Sequence, residues 1–259
     1  NEDLSASFNA AVNKRLMIAD VPVCCLISGG LDSSMILALA KKLHPDIVAY
    51  TAVLNPNSPD YKFAKKICSD LNVPLKPVFV TPPTLLDIDK VIRTIEIDSK
   101  AQIEIGLMCM PLAEQIQKDG FKVCLSGEGA DELFGGYGNT AIKYNSLSES
   151  GYRDEKLFLL RKMTRGNFPR TNKIFMHHSI EARLPFLDNR VVEWAINNGK
   201  NNNPIGKKAL KNLAKNLVPD YVINRPKDTF QGSAGMPDHV AKLLSNPVKY
   251  YNARCKKMY

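Results

Sequence analysis

The chain has 259 residues, of which 44% are hydrophobic and 24% charged, and its formal net charge is +9. This size and composition are typical of a protein that buries a full core, and no apolar run approaches the roughly 18 to 20 residues of a membrane span. The first residues, Asn1 to Leu4, lack the basic and then apolar pattern of a secretory signal. We therefore expect a cytoplasmic protein with no membrane partner, whose positive charge suits anionic ligands of several kinds.

The first half of the sequence alternates between strand and helix patterns. The predicted helices span residues 4–15, 33–43, 61–71, 85–95 and 107–118, and the predicted strands span residues 23–27, 47–53, 75–80 and 122–125. This alternation predicts an α/β fold, a parallel sheet with helices on both faces. From Ser148 onward the pattern is helical, so we expect an α/β core over 1–147 and a mainly helical C-terminal part over 148–259, packed on the same site.

Three turns follow the predicted strands, at Ser28, Asn55 and Ser126. Ligands of open parallel sheets bind at the carboxyl ends of the strands. We therefore expect these three turns to converge on one site.

The first of these turns is glycine-rich: Ser28-Gly29-Gly30-Leu31-Asp32-Ser33-Ser34. A strand, such a turn and then a helix bring backbone N–H groups, three hydroxyls and the positive end of a helix dipole around one anion-sized space. Asp32 beside a polyphosphate makes sense if Mg²⁺ lies between them. The segment predicts a nucleotide site; the alternative, a Gly-Gly turn with a helix-capping serine, is disfavoured by the full motif behind a hydrophobic strand.

The second motif runs from Leu125 to Tyr137 and contains four glycines. Its carboxylates Glu128 and Asp131 are three residues apart, which allows one to orient substrate or transfer protons and the other to bind metal. The alternative is a flexible acidic loop, which the Ser28 motif makes the weaker interpretation.

These two motifs, together with Ser179 to Asp188, resemble the synthetase domain of glutamine-hydrolysing asparagine synthetases and their relatives, the β-lactam synthetases and lasso-peptide cyclases. The resemblance runs from about Leu16 to Gly235. It implies the N-type ATP pyrophosphatase fold of the adenine nucleotide alpha hydrolase-like class. It also implies the family's reaction, in which a carboxylate attacks the α-phosphorus of ATP, giving an acyl-adenylate and pyrophosphate, and ammonia or another amine then displaces AMP.

The resemblance also assigns roles to individual residues. The pyrophosphate ligands would be Ser28, Gly29, Gly30, Ser33 and Ser34. The adenosine pocket would be lined by Leu26, Val53, Ser126 and Gly127. Asp32 and Asp131 would bind Mg²⁺, Glu128 would act near the acyl carbon, and Lys227 would stabilise charge growing on the α-phosphate.

One segment departs from the family pattern. Where asparagine synthetases have a threonine-rich stretch ending in an arginine that holds the amino acid, this chain has Ser99 to Gly106, with Glu104 in place of the base. Glu104 could reject an α-carboxylate or pair with an amino group of another substrate, or the segment could be ordinary helix-start sequence. Arg183 is the best candidate for binding the substrate's anionic group, and aspartate is not assured as the substrate.

The amine source and two other functions stay open. The sequence shows no glutaminase domain before the synthetase helix, so ammonia would come from solution or from a separate glutaminase subunit or domain; alternatively, a substrate amine is the nucleophile. A nucleic-acid base-modifying ATP pyrophosphatase suits the charge, but none of the six cysteines forms a CxxC pair. A non-catalytic nucleotide-binding subunit should have lost at least one of Asp32, Glu128, Asp131 and Lys227.

Basic residues are mildly concentrated late in the chain, at Lys207, Lys208, Lys211, Lys215, Arg225 and Lys227. For the helical lysines among them, the alternative to a functional role is a solvated face. Only the resemblance distinguishes Lys227 from the others.

Overall fold

A five-stranded parallel sheet lies at the centre of the computed structural model, which describes residues 3–137, 146–200, 202, 205–226 and 235–258. The strands are β1 (Val23–Leu26), β2 (Val48–Val53), β3 (Leu75–Phe79), β4 (Val123–Leu125) and β5 (Glu181–Arg183). Their order across the sheet is β3-β2-β1-β4-β5. Because the chain passes from β1 to one side and later returns to β4 on the other, the order reverses between β1 and β4, where open α/β sheets place their ligands.

Helices cover both faces of the sheet. In the first half they are α1 (Leu4–Met17), α2 (Leu31–Leu43), α3 (Pro59–Asp70), α4 (Leu85–Ile95), α5 (Lys100–Lys118) and α6 (Ala130–Phe134). In the second half the described helices are α7 (Glu149–Met163), α8 (Asn167–His177), α9 (Asn189–Asn197), α10 (Lys208–Ala214), α11 (Asp220–Ile223), α12 (Met236–Leu243) and α13 (Pro247–Met258). No helix in these described stretches is both long enough and apolar enough to cross a membrane.

The core consists of two hydrophobic clusters, one on each face of the sheet. Side chains alternate between the faces along each strand. Cys25 and Leu125 therefore pack with α1 and α2 on one face, whereas Cys24 and Cys124 pack with α4, α5 and α8 on the other. The fold class predicted from the sequence is confirmed.

The structure differs from the predicted elements in three places, the first being the short helix α6, which was not predicted. β5 lies in a region predicted to be wholly helical; it has three residues and sits at the sheet edge, too short for a visible alternation pattern. Helix α5 begins at Lys100 and not at Leu107, because Ile103 and Leu107 continue its buried face toward Ser99. The segment 99–106, interpreted as a possible substrate segment, is therefore mostly the first part of this helix.

Candidate active site

The turns after β1, β2 and β4 lie at one edge of the sheet, because these strands are parallel neighbours. These turns also approach one another closely. A Cβ placed on Gly29 would lie 2.8 Å from the Asp60 carbonyl oxygen, and one on Gly127 would lie 3.1 Å from the Ser33 nitrogen. The expected convergence of the three turns is confirmed.

The Ser28 turn requires glycine at Gly29 in particular. Its φ is +73°, and an added Cβ would also come within 2.7 Å of the Ala64 nitrogen on α3. Positive φ and this close approach both exclude larger residues. The Ser28 and Ser33 hydroxyls lie 3.2 Å apart, and the Ser33 Oγ accepts from the Ser28 N–H at 3.2 Å. The turn is thus fixed by its own serines.

Helix α2 begins directly after Gly30 with no side chain capping it. Its first N–H groups therefore face the turn with the positive end of the helix dipole. Ser34, in the same first turn of the helix, is fully buried, and its Oγ has no hydrogen-bond partner among the described residues. A buried donor without a partner at an uncapped helix N-terminus fits a phosphate oxygen.

The Lys207 ammonium contacts both Asp32 and Asp131. The Lys207 ammonium lies 2.5 Å from Asp131 Oδ1 and also donates to Asp32 Oδ2. Lys207 is only 6% exposed. Burial lowers the pKa of Lys207, but the attraction of Asp32 and Asp131 outweighs it and holds this pKa above its ordinary value. Two sequence-predicted metal ligands therefore meet at one point.

This pair of carboxylates fits Mg²⁺ in the presence of a nucleotide. Proteins commonly bind Mg²⁺ through one or two carboxylates and complete its shell with phosphate oxygens and water. Among the described residues, no group of three or more His, Cys, Asp or Glu side chains could hold a metal alone. Asp32 and Asp131 would thus be the protein ligands of the ion. Phosphate oxygens of a nucleotide bound at the adjoining Ser28 turn would be needed to complete its coordination.

Glu128 is held by residues of α8. Its Oε1 accepts from the Arg170 guanidinium and, at 2.8 Å, from the Thr171 hydroxyl. Arg170 is 4% exposed and also donates to Gln102 Oε1 at 2.7 Å. The second oxygen of Glu128, Oε2, is buried and accepts no hydrogen bond from the described residues. One oxygen is thus fixed and the other is available to a ligand.

A wider network supports this arrangement. Gln102 donates to Asn167 Oδ1 at 2.9 Å, and Asn167 donates to Glu132 Oε1 at 3.2 Å. The Tyr137 hydroxyl donates to the same Glu132 oxygen at 2.5 Å. Burial raises the pKa of Glu132. The chain from Arg170 to Tyr137 ties α5, α6 and α8 together behind Glu128.

The two sequence-predicted substrate ligands lie on opposite faces of the sheet. Arg183 donates to the Arg15 carbonyl oxygen at 2.6 Å, on the α1 face, and forms two hydrogen bonds to Glu181. Glu104 lies on the α5 face, 97% buried, with Lys100 Nζ at 3.7 Å. Burial raises the pKa of Glu104. The structure does not bring Arg183 and Glu104 together.

The remaining sequence-predicted residues lie along the same edge. Leu26 ends β1 half-buried, Val53 ends β2 buried, and Ser126 and Gly127 follow β4. Lys227 lies outside the described residues. The guanidinium of Arg225, two residues earlier, pairs with Asp60 and lies 4.3 Å from the Phe63 ring. Arg225 therefore lies beside the Ser28 turn, and its guanidinium also donates to the Ser28 carbonyl oxygen at 3.5 Å.

Sequence reasoning missed the roles of Lys207, Arg225 and Arg170. The interpretation of the helical lysines as a solvated face is wrong for Lys207, which is buried and paired with acids. Arg225, for which no role was predicted, is also largely buried and pairs with Asp60. Arg170 and Thr171 were not singled out at all. The sequence offers no local signal for Lys207, because the preceding residues, 197–206, are polar and Asn-rich and contain no acid.

The cysteines offer no activated thiol. Burial is the first cause of a raised pKa at each of the six, to about 11 for Cys109 and about 12 for Cys68. A nucleophilic cysteine needs a lowered pKa.

Comparisons with known proteins identify asparagine synthetases as relatives of this chain. The asparagine synthase family profile matches residues 3–150 and 143–254. A protein of Methanocaldococcus jannaschii, named as a candidate glutamine-hydrolysing asparagine synthetase, is 31% identical over 99% of this chain and 53% of its own length. The glutamine-hydrolysing asparagine synthetase of Homo sapiens is 29% identical over 96% of this chain and 46% of its own length.

The chain belongs to the asparagine synthase family. It spans about half the length of the curated relatives it matches. Among solved structures, NMN synthetase from Francisella tularensis superimposes with a TM-score of 0.47 and 14% identity, covering 98% of this chain and 94% of that one.

Proposed function

We propose that this chain is an ATP-dependent carbon–nitrogen ligase that activates a carboxylate as its acyl-adenylate and passes the acyl group to ammonia or another amine. The observation that carries the proposal is the placement of Glu128, with one oxygen fixed and one available, on the turn next to the Ser28 turn and the Asp32–Asp131 pair. A phosphate-binding turn, two metal-ligand carboxylates and a positioned acid together suit adenylation followed by amide formation. Family membership supports an ATP-dependent amidating ligase.

In the first step a substrate carboxylate oxygen attacks the α-phosphorus, and the bond to the pyrophosphate oxygen breaks. The Ser28, Ser33 and Ser34 hydroxyls and the α2 N-terminus would hold the departing pyrophosphate. Mg²⁺ on Asp32 and Asp131 would supply charge neutralisation at the leaving group. Lys227 would contact the α-phosphate, where negative charge grows.

In the second step the amine nitrogen attacks the acyl carbon, AMP leaves, and the amine loses a proton. Glu128 Oε2 would accept a hydrogen bond or the proton from the amine. Arg170 and Thr171 keep Glu128 in place through Oε1. The adenosine pocket would include Leu26, Val53, Ser126 and Gly127.

The identity of the acid is a separate matter from the reaction type. Glu104 packs away from Arg183, and the Arg183 guanidinium is engaged by Glu181 and Arg15. Gln102, by contrast, bonds to Arg170, which in turn holds Glu128. We infer that Gln102, Arg170 and Thr171 contribute more to acid selection than Glu104 does.

The relatives are named as glutamine-hydrolysing enzymes. We infer that the ammonia used here comes from a glutaminase domain or a glutaminase partner. The raised cysteine pKa values support a source other than the described residues.

Exchange of radiolabelled pyrophosphate into ATP tests the proposal. The purified chain is mixed with Mg²⁺, ATP, labelled pyrophosphate and one member of a panel of carboxylates, without any amine. Label should enter ATP only with the cognate acid, because adenylation is reversible until the amine attacks. ADP formation with the cognate acid, with no exchange, would contradict adenylation.

A further inference from the structure

The cation between Asp32 and Asp131 has a consequence for metal binding. We propose that Lys207 is a resident counter-cation that occupies the metal position in the nucleotide-free protein, so that a divalent cation binds tightly there only together with the polyphosphate. This inference rests on the proposed function, which assigns the two carboxylates to Mg²⁺.

The ammonium and a metal ion on the same carboxylates would compete for space. The Lys207 ammonium is 2.5 Å from Asp131 Oδ1 and also hydrogen-bonds Asp32 Oδ2. Oxygen ligands of Mg²⁺ in proteins lie about 2.0–2.1 Å from the ion. The ammonium and a metal ion held by these two carboxylates would therefore exclude one another.

The ammonium also compensates charge. Asp32 and Asp131 both contact Lys207, and their side chains are only 21% and 25% exposed, so removal of this cation would increase the repulsion between the two carboxylates. Lys207 supplies positive charge to both of them. A divalent cation entering alone would have to displace this compensation and leave the ammonium buried without its partners.

The position of the ammonium is set by the backbone just before α10. The Lys207 N–H donates to the Phe134 carbonyl oxygen at 2.9 Å, and the Gly206 N–H donates to the Gly135 carbonyl oxygen at 2.9 Å. Lys207 has a φ of +59°, which few residues with a side chain adopt. A Cβ on Gly136 would lie 2.4 Å from Lys207 Cε and 2.0 Å from Asp131 Oδ1, so a larger residue there would push the ammonium and the carboxylate out of contact. The backbone bonds, the positive φ and the glycine at 136 together let this ammonium reach the two acids.

The Lys207 ammonium can move while its backbone stays in place. Lysine is a point charge on a flexible stem and binds phosphate readily. When a polyphosphate enters the Ser28 turn, it brings negative charge beside Asp32, which lies in the first turn of α2. The ammonium can then turn to phosphate oxygens and release both carboxylates to the metal that accompanies the nucleotide.

The test uses Mn²⁺, whose free ion is counted by electron paramagnetic resonance. Mn²⁺ is titrated into the full chain without nucleotide, and then with a non-hydrolysable ATP analogue. The variants are Lys207→Met and, as a matched control, Lys208→Met, because Lys208 is the adjacent, exposed lysine. A third variant combines Lys207→Met with Asp131→Asn.

We expect Lys207→Met to bind Mn²⁺ without nucleotide at least about tenfold more tightly than the wild type, and Lys208→Met to match the wild type. The combined variant should lose the gained affinity. The analogue should tighten Mn²⁺ binding strongly in the wild type and much less in Lys207→Met. Mn²⁺ should also raise the melting temperature of Lys207→Met more than that of the wild type.

Equal or weaker nucleotide-free Mn²⁺ binding by a folded Lys207→Met would overturn the inference. If that variant does not fold, Lys207→Gln keeps a long polar side chain without the charge and is judged by the same criterion. Because the nucleotide-free titration needs no catalysis, its outcome is separate from that of pyrophosphate exchange, which judges the proposed function.

Discussion

Lys207 and Arg170 each neutralise carboxylates at the same edge of the sheet, but the structure holds these two cations differently. Lys207 is a lysine before a short helix, and its ammonium contacts two acids. Arg170 lies within α8, and its guanidinium bonds to Glu128, Gln102 and Thr171 together. The Lys207 ammonium is therefore suited to changing its partners, and the Arg170 guanidinium to keeping them.

This contrast separates the candidate site into two halves. We call the Ser28 turn, Asp32, Asp131 and Lys207 the phosphate half; under the proposed function, its charges would rearrange when a nucleotide binds. We call Glu128, Arg170, Thr171 and Gln102 the acyl half; under the same proposal, one Glu128 oxygen would keep its position during the reaction. Preorganisation matters most where charge develops, which accounts for the rigid guanidinium in the acyl half.

The largest effect should come from the acids of the phosphate half. Asp32→Asn and Asp131→Asn should each lower pyrophosphate exchange by at least about 10³-fold, since each removes charge that holds the metal at the leaving group. Circular dichroism should show an unchanged fold. Asp20→Asn, at an exposed position before β1, is the control. Full exchange in either variant at ordinary Mg²⁺ would remove this pair from the account.

Lys227→Ala should come next. The rate of adenylate formation should fall by about two to three orders of magnitude, with a much smaller change in ATP affinity, because the expected contact strengthens only as charge builds on the phosphates. Single-turnover kinetics separate the two quantities, and Lys215→Ala, at an exposed position, is the control. A collapse of ATP binding would make Lys227 a ground-state contact and break the assignment.

A smaller effect should follow from Arg170→Lys in the acyl half. Lysine keeps the charge opposite Glu128 but lacks the planar guanidinium, whose one nitrogen bonds to Gln102 while the other bonds to Glu128 and Thr171. We expect kcat/KM for amide formation to fall about 10- to 100-fold, with less effect on pyrophosphate exchange. The control is Arg165→Lys, at an exposed position. Unchanged amide formation would show that Arg170 need not be rigid.

Lys156 sharpens the comparison, because it is a buried cation that faces carbonyl groups. Its ammonium donates to the Ala195 carbonyl oxygen at 2.6 Å. Burial lowers the pKa of Lys156 to about 7, whereas the ordinary value is 10.5. Between these pH values the unfolded chain binds more protons than the folded one, so this residue makes the free energy of unfolding rise with pH there.

Urea unfolding of the wild type and Lys156→Met over about pH 6 to 10 measures this contribution. The wild type should gain stability relative to the variant as pH rises above 7, by at most about 1.4 kcal/mol per pH unit. Below pH 7 the difference should level off. A difference that does not vary with pH would show that Lys156 titrates normally.

The two halves also differ in how far the sequence could predict them. The phosphate half is carried mainly by contiguous residues, Ser28 to Ser34, whose order of strand, turn and helix has a local physical meaning. Lys207 was not predicted, because it lies 175 positions from Asp32 and its burial depends on tertiary packing. The acyl half was predicted only at Glu128. Its partners on α8 are 42 and 43 positions away and have no distinctive local pattern.

The same reasoning applies to the fold. The four strands with buried hydrophobic runs were predicted, whereas β5 was missed because a three-residue edge strand is defined by its neighbour and not by its own sequence. Arg183 and Glu104 were paired as substrate candidates through motif positions. Only the structure shows that Arg183 bonds to the backbone of α1, whereas Glu104 lies within α5.

The most direct test of the central claim is the fate of carboxylate oxygen. The cognate acid found by pyrophosphate exchange is labelled with oxygen-18 and converted to amide with ATP and ammonia, and the phosphorus products are analysed by mass spectrometry. The account predicts one labelled oxygen in AMP, because the carboxylate attacks the α-phosphorus and that oxygen leaves with it. Label in inorganic phosphate, with ADP as the nucleotide product, would contradict the account.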